Sequence, residues 1–107
     1  MSEEVLLVLS TFPDVEVARR ISRQIVDERC AACANIIPQI ESIYWWEGKV
    51  ATGGEALVLF KTSAGRYDAL ETTLRQLHPY EVPEIIAVPL RAGVPEYLEW
   101  VAKSCVP

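Results

Sequence analysis

The feature that most constrains the fold is the order in which hydrophobic periodicity changes along the chain. Val5-Leu6-Leu7-Val8-Leu9 is a short continuous apolar run. Such a run suits a strand buried on both faces, and it continues through Thr11-Phe12 to Pro13. Asp14 is placed to cap a helix, in which Val17, Ala18, Ile21 and Ile25 recur at helical spacing. That helix is expected to end near Arg29, where a cation suits the negative end of the helix dipole. Residues 34–46 are rich in β-branched and aromatic side chains and read as a second strand. Pro38 lacks a backbone donor and belongs at a bulge or an edge. Glu47-Gly48 is a tight-turn signal, after which Lys49–Thr62 returns as a partner strand with Ala56–Phe60 its most buried part. Gly53-Gly54 is expected to bend or bulge that strand. Ser63 is the expected cap of a second helix, with Tyr67, Leu70, Leu74 and Leu77 as its apolar stripe. His78-Pro79 stops it. Residues 84–90 read as a fourth strand, and Pro95 opens a last helix with Tyr97, Leu98 and Val101 on one face and Trp100 alongside.

Strand, helix, strand, strand, helix, strand and a C-terminal helix make an α+β chain of the ferredoxin-like, split βαβ type. It has a long hairpin between the second and third strands. The 107 residues are enough for one domain, residues 1–107, and too few for two. Right-handed crossovers place both central helices on one face of the sheet. The other face then needs a cover, and self-association is the simplest one.

Composition narrows the partners. Fifteen acidic and ten basic residues give a net charge of −5, which argues against nucleic acid or an anionic membrane. No apolar run approaches the ~20 residues of a membrane-spanning helix. The start, Met1-Ser2-Glu3-Glu4, is acidic where a signal peptide would be basic. Cys30, Cys33 and Cys105 are odd in number, which suits free thiols in a reducing compartment. The expected location is the cytoplasm.

Three stretches then carry a resemblance. They are Glu28-Arg29-Cys30-Ala31-Ala32-Cys33-Ala34-Asn35-Ile36-Ile37-Pro38, Ser42-Ile43-Tyr44-Trp45-Trp46-Glu47-Gly48-Lys49, and His78-Pro79-Tyr80-Glu81-Val82-Pro83-Glu84-Ile85-Ile86. The last is followed by Glu96-Tyr97-Leu98-Glu99-Trp100. In these stretches the chain resembles the CutA family of small divalent-cation tolerance proteins, from the first strand to Trp100. The resemblance implies a homotrimer whose long hairpins reach neighbouring subunits, and a role in tolerance to divalent metals, often copper. The family fold is also similar to the trimeric PII signalling proteins, which bind small effectors between subunits. Some copper-associated members carry sulfur ligands where this chain has Ser10 and Thr73, whereas Cys33 and His78 are retained.

Cys30 and Cys33 have C-x-x-C spacing, but a redox thiol wants a helix N-terminus and this pair follows a helix C-terminus. Cys30 therefore reads as core. Cys33 and His78 are the candidate metal pair, since thiolate and imidazole suit copper or zinc. Tyr44, Trp46, Lys61, Glu81 and Glu84 are the candidates for a subunit cleft, with Tyr44 and Trp46 on one strand face. Intersubunit salt bridges and hairpin packing would use the same residues. No phosphate-loop, dinucleotide or nucleophile motif is present, so no enzyme activity is expected. The expected function is a trimeric metal-responsive or metal-binding protein. The alternatives are a PII-like sensor of a small anionic effector, with Lys61 as charge partner, and a structural or adaptor trimer.

Overall fold

The structure is a computed structural model and describes residues 3–107. Met1 and Ser2, half of the acidic start on which the compartment expectation leaned, lie outside the described residues. Eight elements follow one another: β1 (Val5–Phe12), α1 (Val15–Asp27), β2 (Cys33–Trp46), β3 (Lys49–Ser63), a 3-10 turn (Ala64–Arg66), α2 (Tyr67–Leu77), β4 (Ile86–Pro89) and α3 (Pro95–Ser104). The strands form one antiparallel sheet in the order β2-β3-β1-β4. β1 lies between β3 and β4, so its apolar run is covered along both edges.

Strand alternation decides what is buried. Val8 and Phe12 from β1, Ala56, Val58 and Phe60 from β3, Ala18, Ile21 and Ile25 from α1, and Leu70 and Leu74 from α2 make one core. Both helices thus seal the same face. Cys30 and Ala31 join that core, as the packing reading of Cys30 expects.

Asp14 caps α1 as expected, its side chain accepting from the Val17 N–H at 2.9 Å. The far end also falls near Arg29, as expected. The helix stops at Asp27, and Arg29 lies beyond it at φ 58°, in the left-handed region. The N–H of Cys30 reaches back to the Ile25 carbonyl and that of Arg29 to Val26, a Schellman stop with arginine in the usual glycine place. Its guanidinium donates to the Ser104 carbonyl at 3.2 Å, tying the turn to α3.

Pro38 lies where the register of β2 slips, between Ile37 and Ile40. Ile37 faces Leu57 while Ile40 faces Glu55, so two residues of β2 oppose Ala56 alone, as in a bulge. Gly53 and Gly54 do not bulge; they pair in regular register with Ser42 and Glu41. The bend is imposed from the partner strand, by the residue without a donor. Ser63 does not cap α2 either. It is buried at the end of β3, and the 3-10 turn intervenes. There the Glu3 carboxylate accepts the Gly65 N–H at 2.7 Å.

The β1 pairing ends at Ala56, so from Glu55 outward the β2–β3 ladder runs on as a free two-stranded arm. Ile43, Trp45 and Val50 stand exposed on it, and the molecule measures 47 × 25 × 21 Å. Its tip is a two-residue turn with Glu47 at φ 50° and Gly48 at φ 78°. Two positive φ values match the right-handed strand twist, but a glutamate is a poor occupant of the first. Glu47→Asn is expected to raise stability by about 0.5–1 kcal/mol in chemical denaturation, because asparagine tolerates the left-handed region better.

His78 fastens the end of α2 to the end of β1. Its ring stacks on Phe12 with centroids 4.6 Å apart, and the Tyr80 N–H donates to Nδ1 at 3.1 Å. Nδ1 is therefore the acceptor, and Nε2–H donates to the Thr11 carbonyl at 2.8 Å. Burial pushes the imidazole below its ordinary pKa, outweighing the Thr11 hydrogen bond and the Glu55 charge, which act the other way. A depressed histidine pKa means the unfolded chain takes up the proton first. Stability from this group is thus complete above about pH 6.5 and falls as pH drops below it, until the folded form also protonates. Thermal melts between pH 7.5 and 5.5 are expected to show this loss, and His78→Gln to reduce it.

Candidate functional site

Where the free arm leaves the sheet, it and the segment after α2 enclose a cleft of about 860 Å³. Thr11 stands at its floor. Tyr44 and Trp46 of β2 and Glu55 of β3 form one wall, and Pro79, Tyr80, Glu81, Val82 and Glu84 the other. The local sequence builds this shape. Pro79 and Pro83 keep the segment between α2 and β4 extended, while the His78 latch fixes where it starts. The bulge at Pro38 ends at Ile40, the register partner of Glu55 in the opposite wall.

Two contacts organise the polar groups. The Tyr80 hydroxyl donates to Glu55 Oε2 at 2.8 Å. Burial first, then that hydrogen bond and the Glu55 charge, push the phenol pKa well above its ordinary range, so Tyr80 stays a donor. Glu84 is also shifted up, by burial and then by the like charge of Glu55. Among the described residues Glu55, Glu81 and Glu84 enter no salt bridge; the ion pairs join Arg19 to Glu16, Arg23 to Asp27 and Lys103 to Glu99 on helix surfaces. The cleft is aromatic and acidic, with no lysine or arginine lining it.

Four of the five cleft residues expected from the sequence meet here: Tyr44, Trp46, Glu81 and Glu84. Lys61 does not. It lies toward the other end of β3, paired with Cys33 and Leu7, with Nζ 5.4 Å from the centroid of the Tyr97 ring. Hydrogen bonding with Tyr97 holds its ammonium above its ordinary pKa. An anionic effector in this cleft would therefore meet three carboxylates and no cation. Glu55, Tyr80 and Thr11 were missed by sequence reasoning. Tyr80 stood within the His78–Ile86 motif, and Glu55 is the first charged residue after the paired glycines, but only the fold puts the two in contact.

Cys33 and His78 are not brought together within the chain. Cys33 sits in register with Lys61 and so with Leu7, on the face opposite the helices, its Sγ 3.9 Å from the Tyr97 hydroxyl. His78 binds the carbonyl of Thr11, four residues or ~13 Å further along β1, and stacks on the core residue Phe12. Both its ring nitrogens are engaged, which leaves no free lone pair for a metal. Ser10 is fully buried in β1, and Thr73 Oγ1 accepts from the buried Cys30 thiol at 3.8 Å. No group of three or more histidine, cysteine or acidic residues is placed to hold a metal among the described residues. A closed thiol–imidazole centre does not fit one subunit.

The family model for the CutA1 divalent ion tolerance protein matches residues 6–104. The divalent-cation tolerance protein CutA of Thermus thermophilus is 46% identical over 102 residues, covering 95% of this chain and 97% of its own. The chloroplastic CutA 1 of Oryza sativa is 46% identical over 92% of this chain, and mouse CutA 48% identical over 85%. Those matches span 56% and 51% of the rice and mouse proteins, so the chain corresponds to about half the length of these relatives. The crystal structure of rice CutA1 superimposes with a TM-score of 0.93 at 44% identity, covering 96% of this chain and 94% of that one. The Thermus structure gives 0.90 at 45% identity, covering 94% and 97%. The chain belongs to the CutA1 divalent ion tolerance family.

Proposed function

We propose that the protein acts in divalent-cation tolerance as a homotrimer, by binding and not by catalysis. The observation that carries the assembly is the open sheet face. Leu7, Leu9, Leu57 and Leu59 point away from the helices at the sheet centre, flanked by Ile37, Ile86 and Val88, which are 40%, 52% and 48% exposed. A contiguous apolar surface of this kind on a small chain is a protein-association surface. The strand order and the shared helical face support the ferredoxin-like description, and the free arm supports hairpins that reach a neighbour.

Metal contact follows from the same surface. Cys33 is half-buried on the open face, whereas Cys30 and Cys105 are buried. Assembly through that face is what would add donors from neighbouring subunits to its thiol, the soft ligand suited to copper or zinc. His78 takes a structural part in this reading. All three thiols are free, which supports the cytoplasm as the proposed location. The relatives include chloroplastic and periplasmic proteins.

Gel filtration with light scattering is expected to give three times the 12.0 kDa chain mass at micromolar concentration; a persistent monomer would overturn the assembly. In copper and zinc titrations of that trimer, Cys33→Ser is expected to lose most of the bound metal and His78→Gln very little. The reverse pattern would show that His78 leaves its latch to act as a ligand.

A further inference from the structure

The cleft between the arm and the segment after α2 joins acidic and aromatic side chains and does not include Cys33. Its charged lining is all acidic: Glu55, Glu81 and Glu84. Its large apolar surfaces are rings: Tyr44, Trp46 and Tyr80. A bare metal ion wants several oxygens converging at about 2–2.6 Å, and no such group of three exists among the described residues. An organic cation wants something else, namely aromatic faces for its alkyl or polarised C–H surface and carboxylates at longer range for its charge. The cleft volume of about 860 Å³ also suits a molecule and not an ion.

The carboxylates are poised for a partner. Glu55 gives one oxygen to the Tyr80 hydroxyl, fixing its orientation and leaving the other oxygen free. Glu84 is partly desolvated beside the like charge of Glu55, and a positive charge placed between them would relieve that repulsion. Lys49 is the register partner of Trp46 at the tip of the arm, yet it does not line the cleft and makes no salt bridge among the described residues.

We propose that this cleft binds a small organic cation of the aliphatic di- or polyamine class, its ammonium groups on Glu55 and Glu84 and its methylene chain against Tyr44, Trp46 and Tyr80. The residues that line the cleft all come from one chain, and Cys33 is not among them.

The test is calorimetric titration of the full chain with putrescine and spermidine at fixed ionic strength, with magnesium and calcium chloride as comparisons. Saturable binding of one amine per chain is expected, tighter than either metal ion. Glu55→Gln keeps an acceptor for the Tyr80 hydroxyl and is expected to weaken amine binding about tenfold, and Trp46→Ala by a similar factor. Glu99→Gln on α3 removes the same charge far from the cleft and is expected to change nothing. Trp46 is largely exposed, so its truncation spares the core, and Glu55→Gln tests the same site should the tryptophan change assembly. Magnesium or calcium binding as tightly as spermidine, with Trp46→Ala without effect, would reduce the cleft to a bare carboxylate cluster and overturn the proposal. So would an absence of saturable amine binding, or a Glu99→Gln loss equal to that of Glu55→Gln.

Discussion

Two helices of 13 and 11 residues cover one face of a four-stranded sheet, and everything else in the structure depends on how little remains to cover the other. Alternation along β1 and β3 sends Val8, Phe12, Val58 and Phe60 inward and Leu7, Leu9, Leu57 and Leu59 outward. Both sets are apolar, the pattern of a strand meant to be buried twice. α3 reaches the outer face only near Lys61 and Cys33, through Tyr97. The rest of that face carries hydrophobic side chains with no layer of the described residues above them.

The free arm follows from the same economy of chain. β2 and β3 run to 14 and 15 residues, while β1 has eight, so their outer halves have only each other to pair with. A two-stranded ribbon bearing exposed Ile43, Trp45 and Val50 is marginal alone and asks for a surface to lie on. Where it departs, the bulge at Pro38 and the His78 latch hold two walls apart and so create the cleft. The cleft is a by-product of strand-length mismatch, lined by rings and carboxylates.

Much of this was legible in the sequence, for physical reasons that can be named. The element order was, because a change of period from two to 3.6 is written in side-chain spacing. Pro38 at the bulge was, because a missing donor has few places to go. Other positions were not. Gly53-Gly54 read as a bend, but a strand accepts glycine in regular register when its partner does the bending. Arg29 read as a dipole partner near the end of α1, but its left-handed stop and its tie to Ser104 rest on a contact 75 residues away in sequence. Ser63 read as a cap, but the strand ran into its place. Lys61 read as a cleft residue, but register put it toward the opposite end of β3. Cys33 and His78 read as a pair on ligand chemistry and on the family resemblance, and only the faces and hydrogen bonds of the fold separate them. Family membership was carried by motifs, which specify residue types without saying which of them meet.

The central claim is that the open sheet face is the assembly surface, and placing a charge at its centre tests it most directly. Leu59 pairs with Leu9 on one side and Asn35 on the other, in the middle of that face, and contributes nothing to the core beneath the helices. Sedimentation velocity of Leu59→Asp, alongside its circular dichroism, is the measurement. The account predicts folded chains sedimenting as monomers, since an aspartate cannot be buried unpaired between subunits. A folded Leu59→Asp protein that sediments like the parent would contradict it.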